Sequence, residues 1–455
     1  MRKHPLSTSI SLILFFGIST SVWATEEEKN IENQTSNVLP VISLKAESNQ
    51  QKYAATQASS SLKSDAPLFK TPQSVSVITK EQLDQKQATT LSQAINGVAG
   101  VSAGYLGRRG WDDFIIRGQN SSDQVYIDGL RQSQSPADGV AVDLSGMDQV
   151  QVIKGPASVN FGLVQPGGMV NLVTKRPQAE NFANAALTYG SYNFKQSTFD
   201  LNYAPKQTEK GAFRLTGRIS DQDDPTDYVY FKNFYISPSY NFDLGDKAEL
   251  SVIASYQHRE YLRQQGLPVI GTLKSNPNGA IDRSLYLGEP TFGGYEADVY
   301  RTGWNYKYKF DNGWTFKQNF AVQKSRLDGQ VVFISKSSPT STSITRQGRD
   351  QHYDDINFSI DNNIAKTVEL GNMQHHLMLG LDGMHDTRDI WNYDCTITDL
   401  HIYTPRYTNQ DWCATKILRN DSVETTLKTM GVYFKDQVDV MDRLNINLGL
   451  RHDWA

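Results

Sequence analysis

Beyond residue 24 the chain has no apolar run near the length of a membrane-spanning helix. That excludes a helical membrane protein. It leaves open a membrane β-barrel, whose alternating strands average to a polar hydropathy. Cysteine is nearly absent: two in 455 residues, Cys395 and Cys413, leave room for one disulfide at most. There is no excess of positive charge, since the net charge is −4, so nothing points to a nucleic-acid partner. Catalytic constellations are missing too. Gly100-Val101-Ser102-Ala103-Gly104 fits G-x-S-x-G, but a helix pattern precedes it where a nucleophile elbow needs a strand. Gly155–Gly162 is glycine-rich yet lacks the GK[ST] of a phosphate loop. His375-His376 stand beside a short turn and read as exposed turn residues. No other nucleophile–base pair or metal-ligand spacing assembles, so no enzyme and no protein-bound cofactor is expected.

What is present has a clear order. Residues 1–24 have the form of a secretory signal: Arg2 and Lys3, an apolar Ile10–Ile18 segment, then Val22-Trp23-Ala24. The mature chain therefore meets an oxidising compartment, where Cys395 and Cys413 can pair. Residues 25–66 are mostly polar and read as a flexible tail, broken by one apolar island at Val38–Leu44.

A unit of short strand and turn phrases follows at 67–177. Pro72–Thr79 alternates as a half-buried strand. Thr79-Lys80-Glu81-Gln82 and Thr90-Leu91-Ser92-Gln93 are two capping boxes. Phe114–Arg117, Val125–Ile127, Val150–Lys154 and Val170–Thr174 read as further strands, with a turn at Asp128-Gly129.

From residue 178 the pattern changes to long alternating strands. Tyr300, Thr302, Trp304, Tyr306 and Tyr308 face one way, and Arg301, Asn305, Lys307 and Lys309 the other. Strands are expected near 184–190, 195–204, 211–220, 232–243, 248–258, 299–310, 314–326, 355–366, 375–387, 427–440 and 444–454. Short and long links alternate between them, as periplasmic turns and external loops do in outer-membrane barrels. The fold class expected is mainly β: an α+β unit, then part of an antiparallel transmembrane β-barrel. A plugged barrel of this kind has about twenty-two strands, so the chain is expected to be a fragment or truncated form.

Taken together, Thr71–Thr79, Gly97-Val98-Ala99-Gly100-Val101, Ile115-Ile116-Arg117-Gly118, Ile127-Asp128-Gly129, Ile153–Val159, Phe161-Gly162 and Pro166–Asn171 resemble the plug domain of TonB-dependent outer-membrane receptors. Arg283–Pro290, Gly431–Gln437 and Leu448–Ala455 are most similar to ferrichrome-type, hydroxamate siderophore receptors of that family. The resemblance implies Gram-negative outer-membrane localisation and uptake of a ferric siderophore, with iron carried by the siderophore. It implies TonB as the partner at the periplasmic side, meeting a TonB box at Leu39, Pro40, Val41, Ile42, Ser43 and Leu44 by strand addition. A plug loop rising to the external pocket would offer Arg108, Arg109 and Trp111 to an oxygen-rich ligand. Gln264 stands where relatives have an aromatic, and Trp391 and Tyr393 are candidate aromatic walls. The alternatives are a catecholate siderophore, cobalamin, or a receptor or adhesin that does not transport.

Overall fold

The computed structural model describes residues 53–455 apart from 65, 105–110, 133–140, 206–210, 264–265, 338–340, 409–411 and 442. Leu39–Leu44, Arg108, Arg109 and Gln264 thus lie outside the described residues.

The N-terminal unit is built on a five-stranded sheet with the order β1 (Ser74–Ile78), β7 (Met147–Lys154), β8 (Gly168–Thr174), β5 (Val125–Ile127), β6 (Leu130–Arg131). A small sheet of β2 (Val101–Ala103), β3 (Phe114–Ile116) and β4 (Gln119–Asn120) lies apart from it. Both capping boxes form: Thr79 and Gln82 start the helix Lys80–Lys86, and Thr90 and Gln93 start Leu91–Ile95. Those helices bring Leu83, Leu91, Ala94 and Ile95 into a core with Ile116, Val150, Val152, Val170 and Leu172. Gly168 is required by close packing. Its φ is +136°, and a Cβ there would stand 2.1 Å from the Ile153 carbonyl oxygen.

Eleven long strands make the second part, each antiparallel to its neighbour. They are β9 (Phe182–Tyr189), β10 (Lys195–Tyr203), β11 (Ala212–Asp223), β12 (Tyr230–Asp243), β13 (Ala248–Tyr261), β14 (Gly294–Lys309), β15 (Thr315–Ser337), β16 (Ser343–Leu370), β17 (Met373–Thr396), β20 (Val423–Val440) and β21 (Leu444–Trp454). Short β18 (Leu400–His401) and β19 (Lys416–Leu418) add to β16 and β17 in the loops. The wall is an open sheet among the described residues.

Which face is inner follows from contact with the plug unit. Arg218 and Asn233 hold the buried Asp143 carboxylate at 2.6 Å each. Gln257 donates to the Ala141 carbonyl, Asn319 to that of Asp128, and Ser359 to that of Arg131. The opposite face exposes Leu187, Leu201, Phe213, Ile219, Val252, Leu379, Leu381, Phe434, Leu448 and Leu450. On a water-soluble protein so continuous an apolar surface would be a liability; facing lipid it is the stable arrangement. Stacked Tyr256–Tyr300 marks one rim of the band and Tyr308–Phe310 the other. Tyr300 and Tyr308 are about 26 Å apart along one strand.

One expectation is corrected. Leu327–Asp354 reads as a long link in the sequence, yet β15 runs to Ser337 and β16 starts at Ser343. The outer face simply changes chemistry beyond the aromatic rim. Arg326 there pairs with Asp328, Lys324 with Asp354, and His258 with Asp298. The apolar alternation stops while the backbone ladder continues.

Candidate functional site

At the long-loop end, the inner wall and the tip of the plug unit meet in an aromatic cluster. Trp111, just before β3, packs with Tyr261, Tyr295, Leu327, Val331 and Tyr353, bordered by Phe231 and Phe333. The rings are ordered by register. Tyr261 and Tyr295 are cross-strand partners on β13 and β14 and stack at 5.1 Å; Trp111 meets Tyr295 edge-on at 6.2 Å. Tyr295 donates to Gln351 Oε1 at 2.6 Å, and Gln351 donates to the Tyr353 hydroxyl and to Asn392. This network fixes the polar edges of the rings.

Three guanidinium groups border the rings. Arg259 lies 5.0 Å from the Tyr261 centroid, and Arg349 4.8 Å from that of Phe333. Arg263 lies 4.8 Å over Trp111 and 5.6 Å from Phe333. Arg349 has a distant carboxylate, Asp394, at 3.7 Å. Arg263 differs. It is 7% exposed, its Nε has no hydrogen-bond partner, and no carboxylate lies within 4 Å among the described residues. Burying a cation costs free energy unless it is paired. Two aromatic faces offset part of that cost and leave Nε without a partner. Such a site can take an anionic, oxygen-bearing ligand.

Beneath Trp111, Asp112 is buried between the start of helix Leu91–Ile95 and the wall. The Ser92 amide donates to its carboxylate at 3.4 Å. Burial pushes its pKa up to about 6; the nearby Arg259 and backbone donors only partly oppose that.

The loops above are held firmly. Ile281, Leu285, Leu287, Ile344, Leu400 and Ile402 form a core of their own. Buried Arg346 pairs with buried Glu289 at 3.1 Å and donates to the carbonyls of Gly288 and Thr398. Cys395 and Cys413 are joined by a disulfide, packed against Phe292, Val332, Ile397 and Trp412.

Of the residues singled out in the sequence, Trp111 stands in this cluster. Trp391 and Tyr393 do not. Their cross-strand partners are His352 and Asp350, whereas inward Tyr353 and Gln351 face Ile390 and Asn392. A shift of one residue reverses the face, so Trp391, 49% exposed, lies outside the wall. Arg263, Arg259, Tyr261, Tyr295 and Tyr353 were missed. The signal was there: odd-numbered alternation continues from Gln257 through Arg259 and Tyr261 to Arg263, past the point where the outer face turns polar. Among the described residues, one metal-capable group gathers, His258, Glu296 and Asp298 within 4.8 Å. It is on the outer face, and His258 already bonds Asp298 at 3.0 Å.

Comparison with known proteins agrees with this architecture. Residues 67–169 match the TonB-dependent Receptor Plug Domain, and 237–455 the TonB dependent receptor-like beta-barrel. The Ferrioxamine B receptor of Salmonella typhimurium is 28% identical over 395 residues, covering 85% of this chain and 55% of the relative. The Ferrichrome outer membrane transporter/phage receptor of Escherichia coli K12 is 27% identical, covering 88% and 57%. The chain thus spans little more than half the length of these relatives. In fold it is similar to the Ferric-Catecholate import receptor Fiu of E. coli K12, with TM-score 0.78, 21% identity, and coverage of 88% of this chain and 62% of that one. By its two matched regions and its lipid-facing wall, this chain belongs to the TonB-dependent receptors of the Gram-negative outer membrane.

Proposed function

We propose that the chain serves in uptake of a ferric siderophore across the outer membrane, with a hydroxamate chelate as cargo. The observation that carries this is Arg263, a buried guanidinium with no carboxylate within 4 Å among the described residues, laid over Trp111 where plug and wall meet. Hydroxamate and carbonyl oxygens around ferric iron suit a guanidinium donor, and the rings suit the apolar body of the chelate. The hydroxamate receptors among the relatives support that choice.

Iron arrives already chelated, so the protein supplies recognition rather than metal ligands, and no catalysis. Energy comes from TonB, which adds a strand to Leu39–Leu44 and pulls. Ligand must favour the state in which that segment is accessible, since equal affinity for both states shifts nothing. Arg108 and Arg109, shortly before Trp111 in the chain, add further donors for the ligand, and Gln264 stands next to Arg263 in the chain.

Iron-55 uptake tests the reading in cells lacking other siderophore receptors. Expression of this chain within a closed barrel of the relatives' length should restore uptake from a ferric trihydroxamate. Ile42→Pro should abolish uptake and leave ligand affinity unchanged, because proline removes the amide a paired strand needs. Normal uptake by Ile42→Pro, or none by the parent closed barrel, would contradict it.

A further inference from the structure

Arginine keeps its proton inside a protein, so a buried guanidinium is costly unless a counter-charge meets it. Among the described residues five arginines are buried: Arg214, Arg218, Arg259, Arg263 and Arg346. Arg214 holds Asp200 with two donors at 2.8 Å each, Arg218 meets Asp143 at 2.6 Å, and Arg346 meets Glu289 at 3.1 Å. Arg259 lies close enough to Asp112 to act on its carboxylate. Arg263 stands apart from these four. It has no carboxylate within 4 Å among the described residues, and its Nε has no partner.

Its place in the fold is fixed. The amide of Leu262, the residue before it, donates to the Tyr230 carbonyl at 3.1 Å, and the Leu262 side chain packs with Val229 and Tyr286. Trp111 and Phe333 lie against the guanidinium. The polar groups that edge the ring cluster are neutral: Tyr295, Gln351, Tyr353 and Asn392 bond to one another. Arg349, which shares the Phe333 ring, already has Asp394 at 3.7 Å. The wall thus supplies a carboxylate to each buried arginine that holds structure together, and none to the one at the ligand site.

We propose that Arg263 selects cargo by charge: the chelate carries a carboxylate outside the iron's own donor set, and that carboxylate pairs with Arg263. This rests on the uptake reading above and narrows it to a negatively charged ferric hydroxamate. Each hydroxamate gives one negative charge, so three of them leave ferric iron neutral and offer Arg263 no counter-charge. A pendant carboxylate offers two acceptor oxygens to a planar fork of donors. Between aromatic rings and away from water, that attraction is stronger than in solution. A chelate with a pendant ammonium meets like charge and is disfavoured.

The test uses this chain within a closed barrel of the relatives' length, in detergent. It is titrated by calorimetry with three ferric trihydroxamates that differ at one pendant group: carboxylate, carboxamide or amine. The parent should bind the carboxylate form about tenfold more tightly than the carboxamide form, the low end for a close charge pair at a binding interface. The amine form should bind most weakly. Arg263→Gln should bring the carboxylate and carboxamide affinities together. Arg263→Lys keeps the charge and loses the fork, so it should keep the order with a smaller spread. Equal affinities for carboxylate and carboxamide in the parent, a comparison that needs no variant, overturn charge selection and leave the uptake reading standing. The full preference retained in Arg263→Gln overturns the role of Arg263. Binding of none of the three chelates overturns the uptake reading, and this inference with it.

Discussion

Arg263 lies 4.8 Å above the ring of Trp111, a contact between the wall and the tip of the plug unit. On the transport reading proposed above, one partner belongs to the part of the chain that moves and the other to the part that does not. A ligand bound across this contact touches both. Substituting Arg263 separates a binding role from a structural one. Arg263→Gln should lower chelate affinity by about 1.5–3 kcal/mol, as loss of a charge-assisted hydrogen bond does. The melting temperature should hold or rise, because a buried charge with no carboxylate within 4 Å among the described residues is removed. A variant that melts earlier and binds equally well would make Arg263 a packing residue.

Lys63 ties the start of the described chain to the wall. It pairs with buried Asp361, lies 3.6 Å from Asp382, and sits 4.4 Å from the Tyr433 ring. Arg451 and Tyr433 complete the network around the two carboxylates. Lys63→Met leaves Asp361 buried without its cation, a loss of about 3–5 kcal/mol for such pairs. Hydrogen exchange in residues 58–64 should speed up accordingly, and Lys63→Met with Asp361→Leu should recover most of the protection. Unchanged exchange in the single variant would show that the pair does not hold this segment.

Asp112 makes stability depend on pH. Its folded pKa, about 6, lies above its ordinary value. The folded state therefore binds the proton more tightly, and the stabilisation is full below the unfolded pKa, near 4. It is lost as pH rises through about 6. Relative to Asp112→Asn, the parent should lose about 2 kcal/mol between pH 4 and pH 7, since each tenfold difference in proton affinity is worth about 1.4 kcal/mol and part of the stabilisation is already lost at pH 4. Denaturant titrations of both proteins at the two pH values check it; parallel pH profiles would contradict it.

The disulfide between Cys395 and Cys413 closes a loop whose ends are 4.8 Å apart at Cα. In the chain-entropy model, closing a loop of this length stabilises by about 3 kcal/mol. Reduction, or Cys395→Ala with Cys413→Ala, should speed hydrogen exchange between residues 397 and 418 and leave the strand ladder protected. Equal exchange before and after reduction would show that the Leu400–Ile402 core holds the loop alone.

The fold was legible because two periodic signals agreed. Capping boxes at Thr79 and Thr90 placed the plug helices, and alternation such as Tyr300 against Arg301 placed the wall strands. What escaped the sequence lay beyond the lipid band. Once the outer face of β15 and β16 becomes Lys324, Arg326, Asp328 and Asp354, polarity no longer distinguishes strand from loop. Arg263 was hidden by the same change. Trp391 and Tyr393 were read as walls for their aromaticity, but face is set by register, and register needs the pairing of Tyr353 with Ile390.

The central claim is that a ferric chelate binds between Trp111 and Arg263. Ferric complexes quench nearby indoles, so tryptophan fluorescence during titration with a ferric trihydroxamate tests it most directly. The account predicts saturable quenching in the parent chain, clearly reduced in amplitude by Trp111→Phe, with its midpoint moved to higher concentration by Arg263→Gln. Quenching of the same amplitude and midpoint in all three proteins would place the ligand elsewhere and contradict the account.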